Sequence, residues 1–292
     1  MKILVTGASG FVGRNLVAQY AERYHVATPC RRELDLLDAA EVRAYLERHR
    51  FDIVIHAATD RSNRKLGSGP ELLNRNCRMF FNLTRNSHAF GRMFFLSSGA
   101  VYDRAHWHPQ MSEDDFDTHV PADDYGLSKY ICAKAVDAME RVYELRLFGV
   151  FGPYEDWQVR FPSNACARAV WGMPVVIRQN VFFDYLDVDD LARILELMFC
   201  RTLRHRQYNV CTGRAVDLKA LAGKVIAASG KCLEVEVKNP GLANEYSGEN
   251  SRMLAEIPEF RFTGSEDSIA RLYQWIEARK QSIDPASLRF DG

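Results

Sequence analysis

Residues 2–13 read KILVTGASGFVG: an apolar run from Ile3 to Val5 leads directly into three closely spaced glycines. A short aliphatic run that ends in glycine is typical of a buried strand. The residues that follow, 14–23, are amphipathic at helical spacing. The stretch therefore predicts a strand, a tight turn and a helix, which is how an α/β fold begins.

The spacing of Gly7, Gly10 and Gly13 indicates a turn that binds a pyrophosphate. Gly7 allows the tight turn, Gly10 leaves room for the phosphates, and Gly13 lets the helix pack on the strand. The start of the helix adds free N–H groups and a positive dipole end. No Lys-Ser/Thr pair follows the last glycine, which excludes a nucleoside-triphosphate P-loop; a turn without ligand is the alternative. The predicted contacts are Gly7, Ser9, Gly10, Phe11, Val12 and Gly13.

The composition is that of an ordinary soluble enzyme: 292 residues, 47% hydrophobic and 26% charged. Lys and Arg (38) balance Asp and Glu (38), which argues against nucleic acid or an anionic membrane as the main partner. Seven scattered cysteines without a Cys-x-x-Cys pair predict reduced thiols in a cytoplasmic protein and no metal site. Because the chain opens on a core strand and lacks a run of 18 apolar residues, we expect neither a signal peptide nor a membrane span.

Strands and helices alternate along the first 212 residues, with a polar loop at 61–70. Short apolar runs predict further strands at residues 25–30, 51–58, 92–97, 144–150, 182–188 and 207–211. This alternation predicts an α/β fold with a parallel, doubly wound (Rossmann) sheet. We assign residues 1–150 to this dinucleotide-binding domain, to which the segment of about 184–212 returns. Residues 151–292 are predicted to form a smaller, mixed α+β substrate domain whose last dozen residues are an exposed tail.

Small and polar residues stand at the ends of several predicted strands. Ligands of doubly wound sheets bind at the carboxyl ends of the strands. We therefore expect one shared crevice at the positions Gly7, Cys30 to Arg32, Ala57 and Ser98, with Ala58 also among the predicted cofactor contacts.

Tyr125 and Lys129 lie four residues apart on a predicted helix at 124–140, and so on one face of it. A tyrosine can move a proton as a general acid or base, and a lysine one turn away favours the phenolate. On its own such a pair is most often an ordinary helix surface. Combined with Ser98 and the glycine turn, it is interpreted as a catalytic pair.

Read in order, these motifs resemble the extended short-chain dehydrogenases/reductases that act on nucleotide-linked sugars. The resemblance covers residues 1 to about 212, and beyond them only SGENSRMLAEIPEF with the terminal helix is similar. It implies a Rossmann fold, a nicotinamide cofactor and a nucleotide-sugar substrate. The motifs that carry it are TGASGFVG, DIVIHAA, Asn76 within NRNCRMFFNL, LSSGAVY, YGLSK, RLFGVFGP and FFDYLDVDD.

The resemblance also implies roles for individual residues. Tyr125 is the general acid/base, Ser98 hydrogen-bonds the same sugar oxygen, and Lys129 also holds the nicotinamide ribose. Asn76 organises a water or backbone near the site, the alternative being a local hydrogen bond within its helix. A homodimer through the 124–140 helix and its neighbour is expected from the family.

At several positions this chain differs from members of the family, and these differences limit the reactions that it is expected to catalyse. Sugar 4,6-dehydratases carry an Asp-Glu pair where this chain has Gly99 and Ala100, so dehydration is not expected. The RRELDLLD run resembles GDP-fucose synthase, but the Cys and His of its double epimerisation match Ala100 and Cys166. Reduction at C4, which dTDP-4-dehydrorhamnose reductases also perform, needs neither residue. Phe183 replaces an Arg that binds the nucleotide diphosphate in the family, and Arg178 is a nearby substitute.

The end of the second predicted strand indicates which cofactor is bound. NAD-binding members place an acidic residue there for the ribose hydroxyls, whereas this chain has Cys30, then Arg31 and Arg32. Arg offers bidentate donors to a 2′-phosphate, which favours NADP, with NAD as the alternative. A solvated loop in which Glu33 neutralises the arginines is the other interpretation. The predicted cofactor site also includes Asp35 and Leu36.

The leading hypothesis is NADPH-dependent reduction of a 4-keto group on a nucleotide-activated (deoxy)sugar, as in deoxysugar biosynthesis, with Tyr125 as general acid. The alternative is an NAD-dependent nucleotide-sugar 4-epimerase that uses the same residues and retains its cofactor. A catalytically silent cofactor-sensing module is disfavoured because both Tyr125 and Lys129 are present. His106 and His108 lack a third ligand, so no metal is expected.

Overall fold

A computed structural model of the chain describes residues 1–60 and 70–288. Most of the predicted polar loop (61–69) and the last four residues of the predicted tail lie outside the described residues. The described strands are, in chain order, β1 Lys2–Thr6, β2 His25–Ala27, β3 Phe51–His56, β4 Phe90–Ser98, β5 Val142–Leu147, β6 Gly149–Phe151, β7 Val175–Asn180, β8 Phe182–Phe183, β9 Tyr185–Asp187, β10 Gln207–Val210, β11 Val216–Asp217 and β12 Val235–Leu242.

Helices separate most of these strands, as the apolar spacing predicts. No helix in the described part of the chain is long and apolar enough to cross a bilayer. The α-helices are α1 Phe11–Tyr20, α2 Ala39–His49, α3 Pro70–Thr84, α4 Asp124–Val136, α5 Phe161–Val170, α6 Val188–Phe199, α7 Leu218–Ser229, α8 Ser251–Glu256 and α9 Ser265–Glu277.

Six strands form one sheet with the order β10-β5-β4-β3-β1-β2. Every neighbouring pair in it is parallel. The chain moves from β1 outward to β2 and then returns across β1 to β3, so the direction of winding reverses between β1 and β3. The predicted doubly wound sheet is confirmed, and the reversal marks the crevice in which such folds bind ligands.

Apolar side chains cover both faces of the sheet. Helices α1 and α6 pack on one face and α2, α3 and α4 on the other, as expected for strands that are apolar throughout. The first face is represented by Leu16, Tyr20, Leu191 and Leu195. The second is represented by Leu46, Phe80, Leu83 and Val136.

A separate apolar core lies among α5, α7, α9 and β7, in the part of the chain predicted to bind substrate. Its largest flanking sheet is the parallel pair β7 and β12. Ile283 and Leu288 are buried against this core, and the Leu288 carbonyl accepts a hydrogen bond from Arg168 Nη2 at 3.1 Å. The expectation that the last dozen residues form an exposed tail is therefore wrong for these two positions.

Two predicted strands are each interrupted. The run 144–150 divides into β5 and β6, and 182–188 divides into β8 and β9; β6 pairs with β9 outside the main sheet. Asp184 causes the second break, since its buried carboxylate accepts hydrogen bonds from the Thr212 N–H at 2.8 Å and the Gly213 N–H at 2.8 Å. Such bonds join distant segments, so no local pattern predicts them.

Candidate active site

The glycine turn between β1 and α1 brings two stretches of backbone into close approach. Gly7 has a φ of +72°, and a Cβ there would lie 2.6 Å from the Ala58 nitrogen. A Cβ at Gly13 would lie 2.2 Å from the Gly7 carbonyl oxygen. Any larger residue at either position would collide with backbone, so glycine keeps β1, β3 and α1 together around a narrow crevice.

The remaining predicted phosphate contacts lie at the mouth of this crevice. The Gly10 N–H donates to the Gly7 carbonyl at 3.0 Å, which closes the turn. Ser9 is exposed, while Phe11 and Val12 are half-buried. Because α1 begins at Phe11, the N–H groups of its first turn have no intrahelical partner there. The donors and the cleared space fit a pyrophosphate.

His56 lies under the crevice at the end of β3 and joins two strands. Its Nδ1 is 2.8 Å from the Thr6 hydroxyl, and its ring is buried. Burial, and then the charge of Lys129, lower the pKa of His56 to about 3. The imidazole is therefore neutral at ordinary pH and acts as a support rather than as a base.

Lys129 is buried beneath Tyr125 on α4. Its ammonium nitrogen donates to the Leu96 carbonyl at 3.3 Å and lies 5.7 Å from the centroid of the Tyr125 ring. Asp123 caps the helix by accepting from the Gly126 N–H at 2.9 Å, so the first turn that carries Tyr125 is fixed. A buried ammonium one turn from a phenol favours the phenolate.

Ser98 ends β4 and begins a turn that packs against α4. Its Oγ accepts a hydrogen bond from the Ala100 N–H at 3.2 Å. A Cβ at Gly126 would lie 2.7 Å from the Ala100 carbonyl oxygen, so the helix start and this turn touch through backbone. The fold thus places Ser98 beside the turn of helix that carries Tyr125.

Asn76 fixes the segment that follows β3. Its buried Oδ1 accepts from the Asp60 N–H at 2.7 Å, and its Nδ2 lies 3.5 Å from Ser128 Oγ. The Ser128 hydroxyl in turn donates to the Tyr125 carbonyl at 2.7 Å. Asn76 therefore connects the end of β3 to the backbone of α4, near the residues predicted to be catalytic.

A second tyrosine, Tyr246, reaches the same place from the C-terminal half of the chain. A Cβ at Gly99 would lie 2.6 Å from the Tyr246 hydroxyl oxygen, so this phenol occupies the space that a side chain at Gly99 would need. Burial raises the pKa of Tyr246, while hydrogen bonding with Ser98 opposes that rise and the nearby Tyr125 adds to it. Tyr246 is therefore a neutral phenol within hydrogen-bonding reach of Ser98 and near Tyr125.

Four contacts fix the position of Tyr246. Its N–H donates to the Phe182 carbonyl at 3.0 Å, and its ring lies 4.1 Å from that of Trp107, 5.0 Å from Phe148 and 4.9 Å from Phe183, between centroids. Sequence reasoning missed this residue. The available signal was its place directly before SGENSRMLAEIPEF, the last segment that resembles the family.

The predicted cofactor residues after β2 form an exposed turn. Arg31 and Arg32 are both exposed, and Arg31 Nη2 lies 3.4 Å from Asp35 Oδ2. Glu33 accepts a hydrogen bond from the Cys30 N–H at 2.8 Å, a bond that lowers the pKa of its carboxyl group. Among the described residues no ion pair joins Glu33 to either arginine. Leu36 is half-buried, and its carbonyl accepts from Asn82 at 2.9 Å.

Two residues that depart from the family lie in apolar surroundings. Cys166 is fully buried in the core of α5, and burial raises the pKa of its thiol. Phe183 packs on Tyr246 and on Tyr185, with 4.9 Å between the ring centroids of the latter pair. Arg178, which sequence reasoning offered in its place, is exposed on β7.

The histidines of the HWH segment make contacts other than metal ligation. The rings of His106 and His119 stack in parallel with 3.6 Å between centroids, and His106 Nδ1 lies 2.7 Å from Asp103 Oδ2. Within residues 1–60 and 70–288, no group of three or more His, Cys, Asp or Glu side chains is arranged to hold a metal ion.

Comparison with known proteins agrees with this architecture. An ADP-L-glycero-D-manno-heptose-6-epimerase of Cupriavidus pinatubonensis is 26% identical over an alignment that covers 96% of this chain and 100% of that protein. The structure of a UDP-glucose 4-epimerase with UDP-glucose from Thermotoga maritima matches with a TM-score of 0.81 at 21% identity, covering 97% and 100% of the two chains. A GDP-mannoheptose C4 reductase from Campylobacter jejuni with NADP bound matches with a TM-score of 0.79 at 18% identity, covering 94% and 97%.

A family model provides the assignment that these pairwise similarities support. The model described as "NAD dependent epimerase/dehydratase family" matches residues 3–211, which include the glycine turn, Ser98, Tyr125 and Lys129. The chain therefore belongs to the NAD dependent epimerase/dehydratase family and is an enzyme of the extended short-chain dehydrogenase/reductase type.

Proposed function

We propose that this enzyme uses NADPH to reduce a 4-keto group on a nucleotide-activated (deoxy)sugar. The observation that carries the proposal is the turn after β2, which presents Arg31 and Arg32 where an NAD-binding relative would place an acid. Glu33 is engaged with the Cys30 N–H, and Arg31, although 3.4 Å from Asp35, is exposed and has further donors for a 2′-phosphate. The similarity to a GDP-mannoheptose C4 reductase whose structure has NADP bound also supports reduction with NADPH.

The cofactor is held by backbone and by charge in this proposal. Gly7, Gly10 and the first turn of α1 bind the pyrophosphate, with Ser9, Phe11, Val12 and Gly13 around them. Ala57 and Ala58, whose backbone approaches Gly7, would also contact the cofactor, and Lys129 would hold the nicotinamide ribose. When bound, the nicotinamide supplies the hydride that is transferred to the substrate carbon.

The chain itself supplies the proton and the geometry. Tyr125 donates its phenolic proton to the oxygen of the keto group, and Lys129 stabilises the phenolate that remains. Ser98 donates a hydrogen bond to the same oxygen and orients it. Asn76 supports the arrangement indirectly, because it connects the end of β3 to the α4 backbone through Ser128.

Related reactions fit the described site less well. Gly99 and Ala100 provide no acid for the elimination of water, and the Tyr246 hydroxyl occupies the space beside Gly99. Cys166 is sealed within an apolar core and does not reach a sugar, which argues against double epimerisation. A homodimer through α3 and α4 remains part of the proposal and rests on the family alone.

An NAD-dependent 4-epimerase is the second candidate. It would use Ser98, Tyr125 and Lys129 in the same way, but it would return the hydride to its substrate and keep its cofactor. The observation that favours it is the similarity to sugar-nucleotide epimerases along nearly the whole chain.

Incubation of the purified enzyme with NADPH and a panel of 4-keto nucleotide sugars tests the proposal. The proposal expects loss of NADPH absorbance with at least one member of the panel and a stoichiometric alcohol product. Conversion of a UDP- or ADP-sugar to its epimer without net consumption of NADPH would instead establish the epimerase.

A further inference from the structure

A cavity of about 500 Å³ lies between the turn after β2 and helix α3. Cavities of this size hold small ligands. Its lining residues are Arg31, Leu37, Glu71, Asn74 and Arg75. Only Arg31 was among the predicted cofactor contacts, and the other wall of the cavity is contributed by α3.

Three of the lining residues form one stripe on α3. Glu71, Asn74 and Arg75 are spaced i, i+3 and i+4, so their side chains lie on the same helical face. The cavity thus has two walls, with Arg31 at the β2 side and Arg75 at the α3 side. The carboxyl end of β2 is where doubly wound folds bind the adenosine ribose, so a cofactor bound there would bring its 2′ position to the Arg31 side of this cavity.

Arg75 is the better ordered of the two cations. Its Nε lies 2.9 Å from Asp60 Oδ2, and 36% of its side chain is exposed compared with 67% for Arg31. Asp60 is itself held by Asn76, which accepts a hydrogen bond from its N–H at 2.7 Å. A guanidinium that is anchored through Nε still has the donors of both terminal nitrogens. Arg75 is therefore oriented before any ligand arrives.

The two guanidinium groups, rather than the net charge of the cavity, provide the recognition of a phosphate. Arg31 and Arg75 are each associated with one carboxylate, Asp35 and Asp60, and the lining also includes the exposed Glu71. A phosphate can add bidentate, charge-assisted hydrogen bonds to both arginines, whereas a ribose hydroxyl cannot neutralise either.

We propose that Arg75 is a specificity-determining residue that binds the 2′-phosphate of the cofactor from the α3 side, opposite Arg31. This inference rests on the proposed use of NADPH and adds to it a residue that lies outside the β2 turn.

Calorimetric titration with 2′,5′-ADP and with 5′-AMP isolates the 2′-phosphate from the rest of the cofactor. For wild type we expect at least 100-fold tighter binding of 2′,5′-ADP. Arg75→Gln should weaken 2′,5′-ADP by about 10–100-fold and 5′-AMP by less than 2-fold. Arg75→Lys, which keeps the charge, should recover part of the loss.

Arg78→Gln is the matched control, because Arg78 is exposed one turn further along α3 and does not line the cavity. It should change the affinity of neither ligand by more than about 2-fold, as expected for an exposed charge that makes no contact in the cavity. Equal losses for both ligands in Arg75→Gln, or no loss, would overturn the role of Arg75 while leaving the NADPH proposal intact. A wild-type enzyme that binds both ligands equally would overturn both.

Discussion

Tyr125 moves a proton in this account, and that role can be separated from its packing. Phe preserves the ring that lies 5.7 Å from the Lys129 ammonium but removes the ionisable hydroxyl. We expect Tyr125→Phe to fold and to bind cofactor normally while kcat falls by roughly 10²–10⁴. Turnover close to that of wild type, measured with the true substrate, would show that another group supplies the proton.

Ser98 orients the reacting oxygen and does not supply the proton, so its loss should cost less. Ser98→Ala removes one hydrogen bond to substrate, worth about 1–3 kcal/mol, and should lower kcat/KM by roughly 5–150-fold. The comparison with Tyr125→Phe is made on the same substrate. If Ser98→Ala is the more damaging of the two changes, the two roles have been exchanged.

The hydroxyl of Tyr246, a residue that the sequence did not predict to be in the site, can be tested for a role in catalysis. Tyr246→Phe keeps the ring contacts with Trp107, Phe148 and Phe183 and removes only the hydroxyl beside Ser98. Loss of a donor to Ser98 or substrate should lower kcat/KM by about 5–15-fold with no change in melting temperature. Unchanged kinetics would mean that the hydroxyl serves packing alone.

The contrast between these residues shows what a sequence can reveal about a site. Tyr125 and Lys129 are recognisable because their spacing is local, one turn apart on one helix. Tyr246 meets Ser98 from a position almost 150 residues away, through a hydrogen bond that no short sequence pattern predicts. Residue types and helical spacing therefore predict the pair Tyr125 and Lys129, whereas only tertiary packing brings Tyr246 to Ser98.

At the scale of elements, the segment between β6 and α5 contains a buried acid whose ionisation should make stability depend on pH. Glu155 is 7% exposed and accepts a hydrogen bond from the Ser163 hydroxyl at 2.5 Å. Burial raises the pKa of Glu155 from 4.5 to about 7. The folded state therefore favours the protonated acid, while the unfolded chain ionises at lower pH.

The sign of the effect follows from this difference. The stability contributed by the neutral acid is fully present below pH 4.5 and is lost as the pH rises to about 7, a change of about 3 kcal/mol. Glu155→Gln removes the titration, so its free energy of unfolding relative to wild type should rise by about that amount between pH 4.5 and pH 8. Urea unfolding at both pH values measures this difference, and a difference independent of pH would contradict the assignment.

Elements that are determined by adjacent residues were predicted well, whereas features that depend on residues distant in the sequence were not. The order of β1, the glycine turn and α1 follows from adjacent residues, and the structure confirms it. The break between β8 and β9 depends on Asp184 and its bonds to Thr212 and Gly213, about 28 residues away in sequence. Burial of Leu288 likewise depends on α5, a distant element.

At the scale of the whole molecule, the proposed site lies where the winding of the sheet reverses. The carboxyl ends of β1, β3 and β4 contribute the glycine turn, the Ala57–Ala58 segment and Ser98, and α4 contributes the catalytic pair. The β2 end contributes the two arginines that, in this account, distinguish a reductase from an epimerase. The division into a cofactor domain and a substrate domain remains a prediction, in which Tyr246 would be the contact of the second domain with the reaction centre.

Titration of wild type and the double variant Arg31→Ala/Arg32→Ala with NADPH and with NADH tests the central claim most directly. Each charge-assisted contact to the 2′-phosphate is worth about 10–100-fold in affinity. We expect wild type to prefer NADPH and the double variant to bind NADPH at least about 100-fold more weakly, while NADH binding stays nearly unchanged. Equal binding of the two cofactors by wild type, or a preference for NADH, would contradict the reductase assignment and favour the 4-epimerase.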